Sequence, residues 1–391
     1  MYQDIQITQI NGKDETFMRR LMSAVLALLL ALSLCACAAE EPQVIGTAPN
    51  EDDVTATSEV PTTEVTVPET TEPTVPETTE PVVYINPITG ETMDGPWNTR
   101  TFMVSVGNTP DALPHHGFSQ ADIVFEMFVN DYCTRMLALF TDISQVPAVG
   151  SIRSLRYPFI DLAQSYDGIV CYAGGSNHVI NDLYASGVDN IFVEGGGTGY
   201  YYRDKDRQNN GYYFEHTLFL KGAETVQYAA EDRGYTVTPN PDKTYDFHFA
   251  EDGTPVDGEN AGYIRILLTL GRNVKDSNMR YDEELGKYVW SQYGENRIMV
   301  DGNNDETVAF ENVFIIVTTV VNDADGYHIP DILGSGEGYY ANGGKIVAVQ
   351  WHRETDDDPF TFTLADGTPV VQGIGNSYIA VAPTQSTIIY Q

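Results

Sequence analysis

Arg153 and Arg156 stand three residues apart in a chain of 391 residues with only 21 Lys and Arg against 56 Asp and Glu. A guanidinium is a planar fork of donors that grips a carboxylate or phosphate through two hydrogen bonds. Gly174-Gly175-Ser176 follows an apolar run and opens a helical pattern. Such a turn lets backbone N–H groups approach an anion, and the helix after Ser176 adds the positive end of its dipole. Arg135, Asp122 and Glu126 belong to the same stretch, and His216 stands between Glu215 and Thr217. These residues read in two ways. In one, Arg153 and Arg156, helped by Arg135, Gly174, Gly175 and Ser176, hold an anionic ligand, and Asp122 or Glu126 holds a metal if the site is catalytic. In the other, the arginines are structural, tied to Asp122, Glu126, Asp161 or Asp182, and the Gly-Gly turn only lets a strand enter a helix. His216 is a base, a ligand or a structural hydrogen-bonding group.

Other motifs carry less chemistry. No G-x-S-x-G elbow is present. The glycine runs at 195–199 and 334–338 lack the Lys-Ser/Thr of a phosphate loop. Asp301-Gly302-Asn303 begins like a calcium loop but has no Gly at the sixth position and Asn312 at the twelfth. A hairpin turn is therefore expected there. His115-His116 has no spaced partner for zinc. Neither a metal nor a cofactor is expected. Cys133 and Cys171 lie in apolar strand contexts and are expected as free thiols. Tyr200-Tyr201-Tyr202 and Tyr212-Tyr213-Phe214 are either packed or exposed for stacking.

The elements that must position these groups fall into two grammars. Residues 86–238 alternate strands and helices and predict an α/β layered domain. Ile123–Val129 and Arg135–Phe140 read as a hairpin across Asn130-Asp131-Tyr132, and Ile169–Ala173 as a buried strand. Helices are expected over Pro158–Ser165, His178–Ser186 with Gly187 as its stop, and Lys221–Arg233. Residues 239–391 hold short apolar runs separated by Asx-Gly pairs, Asn342-Gly343 and Asp366-Gly367 among them, which predict a mainly antiparallel β domain. The fold class expected is α+β.

The N-terminus reads as an export signal. Arg19 and Arg20 precede a 14-residue apolar stretch, Leu21 to Leu34, too short to span a bilayer stably. Ala36 supplies the small residue that a lipid-accepting Cys37 needs, so residues 1–37 are expected as a lipoprotein leader. Polar residues 1–17 do not fit ahead of such a leader, which makes Met18 the expected start. Residues 38–85 repeat VPETTEP and contain no Lys or Arg, which predicts a disordered, self-repelling stalk. The remainder, 84–391, has 18 Lys and Arg against 42 Asp and Glu, a balance that argues against nucleic acid as a partner.

Several motifs taken in order resemble the YerB-like lipoproteins, a bacterial envelope family of two domains of unknown function. They are Asn86-Pro87-Ile88-Thr89-Gly90, Ser119 to Glu126, Thr134-Arg135, Gly150 to Arg156, Ala173 to Ser176 and Glu215-His216-Thr217-Leu218. Tyr281-Asp282, Asn312-Val313, Trp351 and Gly375 to Ile379 continue the series in the second half. Ser151-Ile152 stands where the family has Pro-Val, Leu155 where it has Ala, and Tyr378 where it has Trp. The resemblance implies a signal-anchored extracytoplasmic protein and no particular reaction. The order Asp122, Arg135, Arg153, Gly174-Gly175 is also similar to that of the LytR-CpsA-Psr envelope transferases. The expected function is a lipid-anchored protein on the outer face of the cytoplasmic membrane that binds a cell-wall component or a protein partner. The alternative is a hydrolase or transferase acting on a phosphate-bearing or glycan substrate held by Arg153 and Arg156.

Overall fold

A computed structural model describes residues 82–130 and 133–391. The expected leader with Met18 and Cys37, the stalk to residue 81 and the turn residues 131 and 132 lie outside the described residues. At the start of the described residues, Tyr84–Ile85 pairs with Thr92–Met93.

One eleven-stranded sheet forms the middle of the molecule. From the first half come β1 (Phe102–Asn108), β2 (Ile123–Asn130), β3 (Cys133–Phe140), β4 (Ile169–Tyr172) and β5 (Asn190–Phe192). From the second half come β6 (Glu259–Asn260), β11 (Asn312–Thr318), β12 (Gly334–Asn342), β13 (Lys345–Arg353), β14 (Thr361–Thr363) and β15 (Ser377–Pro383). The order is β6-β13-β12-β11-β15-β2-β3-β1-β4-β5, with β14 beside β13. The halves meet where β15 pairs in parallel with β2, Ser377 opposite Ile123 and Val381 opposite Met127. A second sheet of five antiparallel strands is made by β7 (Tyr263–Leu270), β8 (Asn273–Asp282), β9 (Lys287–Gln292), β10 (Ala309–Phe310) and β16 (Thr387–Tyr390).

Side-chain alternation divides the core in two. Phe102, Val104, Val124, Met136, Tyr378 and Ala380 face one way and pack with Ile264, Ile266 and Trp290 of the second sheet. Met103, Phe125, Met127, Leu137, Ile379 and Val381 face the other way and pack with helices α1 (Tyr157–Ser165) and α2 (Asn177–Ser186). Both faces of the central strands are covered, which is why 377–383 reads as a continuous buried run.

The elements agree with the sequence in much of their detail. Ser176 caps α2 by accepting from Val179 N, and Gly187 ends it at φ 74°. The 123–130/133–140 hairpin forms, and Asn342-Gly343-Gly344 turns β12 into β13 with both glycines at positive φ. Three features differ. The α/β layering expected for 86–238 is incomplete, because helices α1 and α2 cover one face whereas a β-sheet covers most of the other, with the 222–232 helix packed at its edge. The 239–391 half is antiparallel except where β11 runs parallel to β15 and where His248–Ala250 runs parallel to Val371–Gly373. The expected 221–233 helix is α-helical over Gly222–Gln227 and then winds as a π-helix over Tyr228–Asp232. No helix among the described residues is long and apolar enough to cross a membrane.

Candidate functional site

The site begins with a split in the large sheet. Strands β1 and β4 pair in parallel from Phe102–Ile169 to Val104–Cys171 and then part. An extended segment, 151–155, fills the gap. Arg153 N donates to Ser105 O at 2.8 Å on one side, and Ala173 N donates to Arg153 O at 2.9 Å on the other. Leu155 N donates to Gly174 O at 2.9 Å. Segments 153–156 and 173–176 therefore run side by side, one into α1 and the other into α2. Both helix N-termini stand at the carboxyl end of parallel β4, the position where open α/β sheets bind ligands.

Three guanidiniums gather here. Arg135 is 3% exposed and donates through Nη1 to Ser154 O at 2.8 Å. Arg156 is 5% exposed, donates to Leu155 O at 2.7 Å and lies 4.1 Å over the Tyr327 ring. Arg153 crosses β1 over Gly107, where a Cβ would stand 2.8 Å from Arg153 Cγ, and meets Glu215 Oε2 at 3.3 Å. The buried Nε–H groups of all three have no acceptor among the described residues. Burial, reinforced by Arg156 and then Arg153, pushes Arg135 from the ordinary 12.5 down to about 9, so it remains charged at pH 7. Among the described residues, neither Arg135 nor Arg156 has a carboxylate within ion-pair distance. An unpaired buried charge is costly, and an anion in the pocket would offset that cost.

A cleft of about 270 Å³ opens beside this cluster, lined among others by Arg153, Ser154, Gly174, Phe192, Phe214 and Glu215. Gly174 stands at φ 80° with the nearest obstacle to a Cβ, Ser154 Oγ, 3.6 Å away, so that its role is conformational. Glu194 holds Arg203 in a two-pronged pair at 2.8 and 2.6 Å, and the Arg203 guanidinium covers one face of Phe214 at 3.7 Å.

The candidates thus separate. Arg135, Arg153, Arg156, Gly174 and Ser176 come together, with Gly175 in the same turn. Neither Asp122 nor Glu126 joins them, which corrects the expectation that one of these two acids stands beside the arginines; the acid that does is Glu215. Asp122 accepts from Thr141 N and Oγ1 at 2.6 and 2.9 Å, at the far end of β2 from the strand residue that faces Arg135. Glu126 is one residue out of phase with Met127, the residue opposite Arg135, so it projects from the other face of the sheet. There it is fully buried and accepts from Asn108, Thr134, Ser277 and Tyr378, with Lys275 Nζ at 3.4 Å. Burial favours its neutral form, yet Lys275 and these donors hold it below the usual carboxylate range. The structural alternative also fails in its particulars, since none of Asp122, Glu126, Asp161 or Asp182 pairs with Arg153 or Arg156.

His216 is buried at the edge of the site, its Nε2 3.5 Å from Thr109 Oγ1 and 3.6 Å from Glu215 Oε1. Burial, then the Arg153 charge, lower its pKa and favour the neutral ring. His115 is stacked against both Phe118 and Trp290 and donates from Nε2 to Gly107 O at 3.0 Å, a structural use. Cys133 and Cys171 are both free. The Asp301 carboxylate accepts from the amides of Gly117, Ser119 and Asn303, within a turn that Val300 and Thr307 close as a bridge. The aromatic pair of motifs divides. Tyr200 is buried on Tyr228, whereas Tyr213 and Phe214 are exposed.

Sequence reasoning missed Phe192, Glu194 and Tyr327. Glu194 carries one signal, a non-glycine residue at φ 76° ahead of three glycines, but positive φ is invisible until the chain is folded.

Comparison with known proteins agrees with this architecture. Residues 88–236 match the family described as protein of unknown function (DUF3048), N-terminal domain, and residues 267–379 match its C-terminal domain. The protein named "Putative lipoprotein YerB" of Bacillus subtilis (strain 168) is 26% identical over 269 residues, covering 68% of this chain and 77% of its own length. The crystal structure of YerB from Bacillus subtilis superposes with a TM-score of 0.66 over 78% of this chain and 99% of that one, at 24% identity. Family matches over both halves, in the order the motifs predict, show that the chain belongs to the YerB-like family built from the two DUF3048 domains.

Proposed function

We propose that this protein is an envelope lipoprotein, anchored through Cys37 on the outer face of the cytoplasmic membrane and raised on the 38–85 stalk. It binds an anionic, phosphate-bearing cell-wall component between Arg135, Arg153, Arg156 and the α1 and α2 N-termini. The observation that carries this reading is that Arg135 and Arg156 are buried without a carboxylate partner among the described residues, in a chain of net charge −35. The name of the Bacillus subtilis relative supports the anchor. Binding is favoured over hydrolysis or group transfer because neither Asp122 nor Glu126, the acids a metal-assisted reaction would draw on, stands with the arginines.

Thermal denaturation with inorganic phosphate or pyrophosphate, at constant ionic strength, tests the site. At a hundred times the dissociation constant, binding adds about 2.7 kcal/mol and raises the melting temperature by about 4 °C. A rise no larger than that given by chloride would sink the reading. Metabolic labelling with a fatty acid tests the anchor, and Cys37→Ala is expected to abolish the label.

A further inference from the structure

We propose that the ligand is a glycosyl phosphate, with its sugar ring in the cleft between Phe192 and Phe214 and its phosphate on Arg153 and the guanidiniums behind it. The proposal rests on the anion-site reading and adds the chemical class of the ligand. At about 270 Å³ the cleft lies just below the roughly 300–1,000 Å³ of most small-molecule sites, a size that suits one ring better than a chain. Phe192 and Phe214 are 44% and 66% exposed, a cost in water that a partner would remove. Phe192 is held from beneath by Tyr172, ring centroids 5.7 Å apart, and Phe214 by Arg203. Both are therefore braced platforms rather than loose side chains.

Two carboxylates share the cleft. Glu215 meets Arg153, Glu194 meets Arg203, and each has lone pairs left over. The cleft thus offers apolar faces, hydrogen-bond acceptors on Glu194 and Glu215, and the guanidiniums of Arg153 and Arg203. A sugar ring has the complementary surface, with C–H faces, hydroxyl donors around its edge and, once phosphorylated, one anionic substituent. A nucleotide would use the aromatic faces and the cations but has few hydroxyls for two carboxylates.

Isothermal titration of the full chain with inorganic phosphate, uridine monophosphate, free glucose and the 1-phosphates of glucose, galactose and N-acetylglucosamine decides the matter. At least one hexose 1-phosphate is expected to bind tenfold or more tightly than inorganic phosphate. Phe214→Ala is expected to erase that ratio, and Arg135→Met to weaken every anion. If phosphate binds but no hexose 1-phosphate exceeds it, or if uridine monophosphate exceeds them all, the sugar proposal fails and the anion site stands. If no anion binds, both fall together.

Discussion

Arg135 is a cation that a β-strand carries into the core, where no carboxylate of the described residues meets it. Such a residue is retained at a cost to stability, and function is the usual reason. Arg135→Met should therefore leave the melting temperature of the unliganded protein unchanged or higher, while weakening its response to phosphate. A fall of several degrees would instead mark Arg135 as a structural group. Asp122 gives a second test. Burial pushes its carboxyl up to about 6 in spite of two hydrogen bonds from Thr141. The native state thus holds this proton to higher pH than the unfolded chain, whose value is 3.8, and stability falls as pH rises from about 4 through about 6. Asp122→Asn cannot titrate. Urea unfolding at pH 4, 5, 6 and 7 should show the variant gaining on the wild type across that window, by at most about 3 kcal/mol, and levelling off above it. The arginines and the Gly-Gly turn were legible because cations are so scarce in this sequence. The acids were misplaced because one residue of strand phase separates the face of Arg135 from that of Glu126, and two of the partners of Glu126 are remote, Ser277 by 151 positions and Tyr378 by 252.

Between elements, the contact with most at stake joins β2 to β8. Glu126 and Lys275 are 0% and 5% exposed, and they lie on different sheets. Truncating one member of a buried pair leaves the other as an unmatched charge, at a cost of about 3–5 kcal/mol. Glu126→Gln should lose that much in denaturant unfolding, and adding Lys275→Met should restore most of it. A double-mutant cycle with coupling below about 0.5 kcal/mol would mean that the pair is incidental. Strand and helix identities were largely legible from alternation, Asx-Gly turns and the Ser176 and Gly187 stops, because those signals are local. The π-helical end at Tyr228–Asp232 has no comparable signature. The mixing of the two halves in one sheet was likewise hidden, since pairing between Ile123 and Ser377 leaves no trace in either segment.

For the molecule as a whole, this mixing predicts that the halves depend on each other for folding. Residues 82–238 made alone would expose the β2 edge and the face that Ile264, Ile266 and Trp290 cover. They should lack a cooperative thermal transition and bind a hydrophobic dye. A chain ending at Asn376 should behave the same way, although it lacks only 15 residues. A cooperative transition in either fragment would show that the β15 pairing is dispensable.

The place of β15 between β11 and β2 also sets a timetable. The strand that closes the middle of the sheet leaves the ribosome about 250 residues after the β2 it joins. At about 5–20 residues per second, the β2 edge stays unpaired for roughly 10–50 s in every nascent copy. Throughout that interval the chain is an open template for another strand. It must be threaded and shielded as an unfinished polymer, and its folding is in effect a checkpoint for complete synthesis.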